Sequence, residues 1–80
     1  MIRLVFLGRL ADLAGGPVRD LAAVGPMPLA AILAALPEPL ATALAEDRVK
    51  LALNGLVTAR EGLMAEPGDE LAFLPPVSGG

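Results

Sequence analysis

Apolar residues change their spacing several times along this chain, and each change marks an element. Ile2, Leu4 and Phe6 alternate with Arg3 and Val5 and so share one face, and Leu7 closes the run before Gly8. The spacing predicts a central or near-central strand over Ile2–Leu7. From Arg9 to Ala14, Leu10, Leu13 and Ala14 fall at helical spacing, and Gly15-Gly16-Pro17 stops the turn. Val18–Val24 then reads as a second strand returning from that stop.

The clearest helix is Pro28–Leu36, where Leu29, Ile32, Leu33 and Leu36 repeat at i, i+3, i+4 and i+7. Pro28 suits the first helical position, and Pro37 ends the run. Glu38-Pro39 restarts a shorter helical segment to about Ala45, with Leu40 and Leu44 on one face.

The remaining pattern has period two. Val49, Leu51 and Leu53 alternate with Lys50, Ala52 and Asn54, and Asn54-Gly55 is a strong hairpin signal, so Leu56–Ala59 is the return strand. Glu66-Pro67-Gly68-Asp69 predicts a tight turn, with φ fixed at Pro67 and free to be positive at Gly68. Glu70–Leu74 is a last strand, with Leu71 and Phe73 facing one way. The order strand, strand, helix, strand, strand, strand predicts an α+β domain, with one main helix packed on one face of a mixed sheet. That is the element order of a β-grasp, or ubiquitin-like, fold. The sheet is expected to be mixed because the first and last strands both read as buried.

Composition narrows the chemistry. Eighty residues with 55% hydrophobic content describe one small folded domain. Neither Cys nor His occurs, so disulfides, thiol nucleophiles, His-based triads and most transition-metal sites are excluded within the chain. No metal site and no bound cofactor is expected. Six basic residues against nine acidic give a net charge of −3, and nucleic-acid binding has little electrostatic support. Trp and Tyr are absent and Phe occurs twice, so no stacking platform for bases exists. The longest uncharged stretch, Leu21–Pro37, is broken by Gly25, Pro26 and Pro28, which argues against a membrane helix. With no leader pattern at its start, the chain is expected to be soluble and cytoplasmic.

The informative segment follows the last strand: Pro75-Pro76-Val77-Ser78-Gly79-Gly80. Pro75-Pro76 cannot continue a ladder, so the reading divides the chain into a domain over 1–74 and an extended tail over 75–80. Six extended residues reach about 20 Å. Gly79 and Gly80 have no side chains, and such a backbone can thread a narrow channel and present its terminal carboxylate in another protein's active site. A frayed terminus is the bland alternative. Gly-Gly alone is a modest signal, which the strand order and the paired prolines strengthen.

These residues resemble the ubiquitin-like sulfur carriers, and among them the small subunits of molybdopterin synthase. The resemblance covers nearly the whole chain. It begins with Met1-Ile2-Arg3-Leu4-Val5-Phe6-Leu7 and Asp12-Leu13-Ala14-Gly15. It continues through Leu53-Asn54-Gly55 and Pro67-Gly68-Asp69-Glu70-Leu71-Ala72-Phe73-Leu74, and ends on Pro75-Pro76-Val77-Ser78-Gly79-Gly80. The ending is its most specific part, because thiamine-pathway carriers share the Gly-Gly and seldom the Pro-Pro before it.

The resemblance implies a mechanism. The Gly80 carboxylate would be adenylated by a ubiquitin-activating-type adenylyltransferase that uses ATP, and then converted to a thiocarboxylate by a sulfur donor. The tail, Pro75, Pro76, Val77, Ser78 and Gly79, would enter the large subunit of molybdopterin synthase, in a heterotetramer. The sulfur would pass to the pterin precursor to build the dithiolene. The chain itself would supply no general acid or base. The chain departs from the family in two places: Ala11-Asp12 stands where an Arg-Glu pair is common, and Leu7 where a second aromatic is common. Both bear on partner contacts more than on the tail. Sulfur carriage for thiamine or tRNA thiolation, and protein modification through Gly80, remain alternatives.

Four apolar residues, Leu56, Val57, Leu63 and Met64, read as either core or a partner interface. Glu61, Glu66, Asp69 and Glu70 read either as a solvated turn region or as an acidic collar steering the tail toward a basic pocket. Lys50, the sole lysine, falls at an exposed phase of its strand, and Ser78 has no base to activate it.

Overall fold

A computed structural model describes residues 1–76. Ten elements follow in order: β1 (Ile2–Phe6), α1 (Arg9–Ala14), β2 (Val18–Leu21), β3 (Met27–Pro28), α2 (Leu29–Ala34), α3 (Glu38–Leu44), β4 (Lys50–Leu53), β5 (Leu56–Thr58), β6 (Met64–Ala65) and β7 (Glu70–Leu74). Five strands form one mixed sheet in the order β2-β1-β7-β4-β5, and β3 and β6 form a separate ribbon. β1 and β7 lie side by side and parallel, with Phe6 opposite Phe73, while β7 pairs antiparallel with β4. The last strand is therefore central, and the sheet is the mixed sheet expected of a β-grasp domain.

The alternation along the strands sets what is buried. Ile2, Leu4 and Phe6 of β1, Leu71 and Phe73 of β7, and Leu51 of β4 form one buried cluster with Leu10, Ile32, Leu36, Leu40 and Leu44 from the helical side. The Phe6 and Phe73 rings stack with centroids 5.6 Å apart and planes 9° from parallel, an offset-stack separation that adds to their burial. Among the described residues no polar or charged side chain is buried, so apolar packing holds this core.

Turn chemistry fixes the register where the sequence said it would. Asn54 (φ 51°) and Gly55 (φ 85°) both take positive φ, which matches the right-handed twist of β4 and β5. At the far turn Gly68 has φ 96°, and the Asp69 N–H donates to the Glu66 carbonyl at 2.9 Å.

The helical region breaks at Pro37, held extended at ψ 143°, into α2 with six residues and α3 with seven, as the sequence predicts, although the second segment is not the shorter. Two further expectations need correction. Pro28 is the residue before α2 rather than its first: its ψ of 160° is extended, and it pairs with Met64 in the small ribbon. The second strand ends at Leu21, short of Val24, whose side chain is fully exposed. The β3–β6 ribbon is unmarked in the sequence, since two-residue strands carry no period to read.

Candidate functional site

The site is the place where the chain leaves the sheet. β7 is parallel to β1 and antiparallel to β4. The end of β7 therefore lies beside the end of β1 and the start of β4. Three chain segments meet there: Leu74-Pro75-Pro76, the Leu7-Gly8-Arg9 link into α1, and the loop from α3 into β4. The last ladder partner of β7 is Lys50, opposite Leu74, and pairing stops at Pro75, which has no N–H to donate.

Gly8 makes room for that exit. Its φ of 55° and ψ of −137° are accessible to glycine and strained for other residues. A Cβ built on it would stand 3.1 Å from Cγ of Pro75. The bare backbone of Gly8 thus lets Pro75 pack against the end of β1. In the sequence Gly8 marks only the end of a strand, because the parallel pairing that brings residue 8 to residue 75 is a spatial fact.

Arg60 fixes the third segment. Its Nη2 lies 2.7 Å from the carbonyl oxygen of Leu44, 2.6 Å from that of Glu46 and 2.9 Å from that of Val49. The end of a helix leaves carbonyls to be satisfied, and here Arg60 takes up those of the α3 end and the following loop, that of Glu46 also accepting from the Val49 N–H at 3.0 Å. One guanidinium therefore holds the loop that carries Glu46, Asp47 and Arg48 beside the exit. Nothing in the spacing around Arg60 announced this, because its partners are backbone atoms more than ten residues away.

The acidic collar the sequence suggested is not what surrounds the exit: charge there is mixed, with Glu46 and Asp47 lining the same grooves as three cations. Arg9 and Arg48 line a groove of about 300 Å³ with Leu10, Leu13 and Pro76, and Arg48 and Lys50 line its neighbour with Pro75 and Pro76. Three of the proposed collar acids, Glu66, Asp69 and Glu70, sit at the opposite end of β7, about 13 Å away at one strand rise per residue. Glu61 lies in a separate groove with Asp47 and Lys50. At the far end the acids have a structural task. The Asp69 carboxylate accepts from the Glu66 N–H at 2.8 Å and from Nδ2 of Asn54 at 3.0 Å, and Oδ1 of Asn54 accepts from the Glu70 N–H at 2.9 Å. The Glu66 N–H first, and the Asn54 amide second, hold the Asp69 carboxyl below its ordinary value of 3.8.

The four apolar interface candidates separate. Leu56 and Val57 are 74% and 73% exposed on the edge strand β5, and Met64 is exposed on the ribbon. Leu63 is buried in the core at 6% exposure and has no surface to offer a partner. Val57 belongs to a patch the sequence did not reveal. Strand register lines up Val18, Val5, Ala72, Ala52 and Val57 across all five strands. This row lies on the sheet face opposite the buried cluster, and Leu74 continues that face toward the exit. Only the register shows it, because each strand contributes a single residue.

Pro75 and Pro76 are half-buried at the exit. Val77, Ser78, Gly79 and Gly80 lie outside the described residues. Among the described residues no group of three His, Cys, Asp or Glu side chains is placed to hold a metal ion, and no helix is long and apolar enough to cross a membrane. Among the described residues the exit offers cations, an apolar face and a proline-stiffened strand end.

Comparison with known proteins agrees with this arrangement. SAMP1 from Haloferax volcanii superimposes with a TM-score of 0.76 at 28% identity, over 99% of this chain and 98% of that one. A protein in the complex of subunits 1 and 2 of the molybdopterin-converting factor from Helicobacter pylori 26695 shares the fold, with a TM-score of 0.65 at 23% identity, over 99% of this chain and 97% of that one. None of the curated proteins matches the chain in sequence. The ThiS family profile matches residues 4–80, which takes in the central strand, the exit and the Gly-Gly end alike, and the chain belongs to the ThiS family of ubiquitin-like sulfur carriers.

Proposed function

We propose that this chain is the sulfur-carrying small subunit of a molybdopterin synthase. The observation that carries the reading is the central strand β7 running into Pro75-Pro76 and, after Val77-Ser78, into Gly79-Gly80. In the proposed cycle the Gly80 carboxylate attacks the α-phosphate of ATP on an adenylyltransferase, and pyrophosphate leaves. Hydrosulfide released by a sulfur donor then attacks the acyl carbon, AMP leaves, and a thiocarboxylate results with no change of oxidation state. Adenylation is needed because a carboxylate oxygen is a poor leaving group and AMP is a good one. The loaded tail enters the large subunit, where its sulfur passes to the pterin precursor. ATP belongs to the activating partner, and this chain needs only to dock and deliver.

The open sheet face with its Val18–Val5–Ala72–Ala52–Val57 row is the natural seat for the large subunit, since an apolar centre is what a stable interface covers. The Helicobacter pylori structure is a complex of subunits 1 and 2 of its molybdopterin-converting factor, which supports a two-protein assembly. A second reading, protein modification through an isopeptide bond from Gly80, is favoured by the match to a Haloferax volcanii protein described as small archaeal modifier protein 1, at 27% identity.

Deleting Gly80 tests the proposal in cells lacking their own small subunit. The truncated chain is expected to keep its unfolding midpoint and to restore no molybdenum-enzyme activity. Restored activity overturns the carrier mechanism. Failure of the full-length chain to restore it, with target proteins shifted in mass instead, favours the modifier.

A further inference from the structure

One wall of the exit is held from a distance. Each residue from Glu46 to Lys50 lines at least one of the two grooves that share Pro76. Of these, Glu46, Asp47 and Arg48 are exposed and bury nothing in the core. The loop's own ties are slight: the Val49 N–H donates to the Glu46 carbonyl at 3.0 Å, and the Glu46 N–H donates to the Ala43 carbonyl at 3.4 Å. Nη2 of Arg60 adds three more, to the Leu44, Glu46 and Val49 carbonyls. Those oxygens bracket Asp47-Arg48 on both sides, so one side chain from beyond β5 closes the loop.

All three bonds fall on one nitrogen, and Nε is buried without a partner among the described residues. The guanidinium thus serves as a point donor, not as the planar fork that sets arginine apart from lysine. A buried donor left unpaired is unfavourable, and here it accompanies the closing of a loop whose exposed residues add no core packing. What those residues do is stand beside the prolines. Pro76 lines the groove between α1, which contributes Arg9 and Leu13, and the loop, which contributes Glu46 and Arg48. The α1 side is set by the Gly8 backbone, and the loop side by Arg60.

We propose that Arg60 is a positioning residue for tail delivery: by holding the Glu46–Lys50 wall it sets the direction in which Pro75-Pro76 leaves the sheet. The inference rests on the carrier reading and deepens it by naming a residue outside the tail on which activation depends. Arg60 acts through the loop and takes no part at the reacting carbon. A partner that accepts only correctly directed tails binds the chain with an apparent affinity lowered by the misdirected fraction, while turnover at saturation is unchanged.

The test is chain-dependent ATP–pyrophosphate exchange by the adenylyltransferase of its own source, at a temperature where circular dichroism shows each variant folded. Arg60→Met keeps an apolar stem and loses the donors. It is expected to raise KM for the chain about tenfold with kcat within about twofold of wild type. Arg60→Lys restores a point donor with three N–H groups and is expected to bring KM back to within about threefold. Arg60→Gln is expected to fall between the two, so the order of KM values can be read even where Arg60→Met does not fold. Gly68→Ala, a destabilising change at the far end of β7, is expected to leave KM within about twofold. A KM that does not move in the Arg60 variants, or that Gly68→Ala raises equally, makes Arg60 a structural staple and overturns the proposal. A wild-type chain that supports no exchange overturns the carrier reading beneath it, whereas normal wild-type exchange with an unmoved KM in the Arg60 variants overturns only the role of Arg60.

Discussion

The two ends of β7 are built for opposite purposes. At its start the strand is tied down: Asn54 donates its N–H to the Glu70 carbonyl at 2.8 Å, Arg3 donates to the Asp69 carbonyl at 2.9 Å, and Gly68 donates to the Met1 carbonyl at 2.7 Å. At its end the ladder stops at Leu74, and two prolines leave the sheet past a glycine and three cations. The hydrogen bonds of a strand are shared with its neighbours, so anchoring one end in a central position holds the other end in place. A tail that must enter a partner's channel is best rooted in the most firmly held strand of the molecule.

The largest test of that shared strand is Phe73→Ala. It removes one half of the stacked pair at the tail end, and truncating a buried phenylalanine costs about 3–5 kcal/mol. A domain this small has little more than that in total. Chemical denaturation is expected to find the variant largely unfolded in water, with both ends lost together. A loss confined to the tail end would break the claim that the strand is one unit.

Two glycines sharpen the comparison. Gly68 has φ 96° with open space where a Cβ would stand, whereas Gly8 has positive φ and Pro75 in the way. Gly68→Ala is expected to cost about 1–2 kcal/mol, the penalty of a left-handed alanine. Gly8→Ala is expected to cost about 3 kcal/mol, the upper range for a strained residue, with the contact added. Thermal unfolding of the pair measures the difference. Equal losses would mean that Pro75 yields freely and that Gly8 does not govern the exit.

How far the sequence revealed this contrast depended on whether the signal was local. Asn54-Gly55 and Pro67-Gly68 named their own turns, because the φ each turn demands is a property of one or two residues. Ile2-Leu4-Phe6 and Leu71-Phe73 named their buried face by alternation, and Pro75-Pro76 named the end of pairing. The exit's surroundings were hidden because they depend on register. Gly8 meets Pro75, Arg60 reaches three carbonyls, and Arg9, Arg48 and Lys50 converge only after β1, β7 and β4 are laid side by side. The same gap separates charge along the sequence from charge in space. Acids close to the tail in sequence lie a strand length from it in space, and the nearby cations come from 25 to 66 positions away.

The smallest expected effect belongs to the anchored end. The Asp69 carboxyl sits below its ordinary 3.8 because its charged form accepts the Glu66 and Asn54 bonds. A lowered folded value means stability that is present above the unfolded value and lost as pH falls through the folded one. The unfolding midpoint of wild type is expected to exceed that of Asp69→Ala at pH 7. The gap is expected to close as pH drops below about 4, where unfolded carboxyls bind their protons. A gap that is constant with pH would remove Asp69 from the anchor.

The most direct test of the central claim is the intact mass of the full chain, with its C-terminus free, after incubation with the adenylyltransferase, ATP and a sulfur source. The account requires a gain equal to sulfur replacing oxygen, reversed by alkaline hydrolysis and absent when Gly80 is deleted. An unchanged mass in the presence of an adenylyltransferase proven active on another carrier would contradict it.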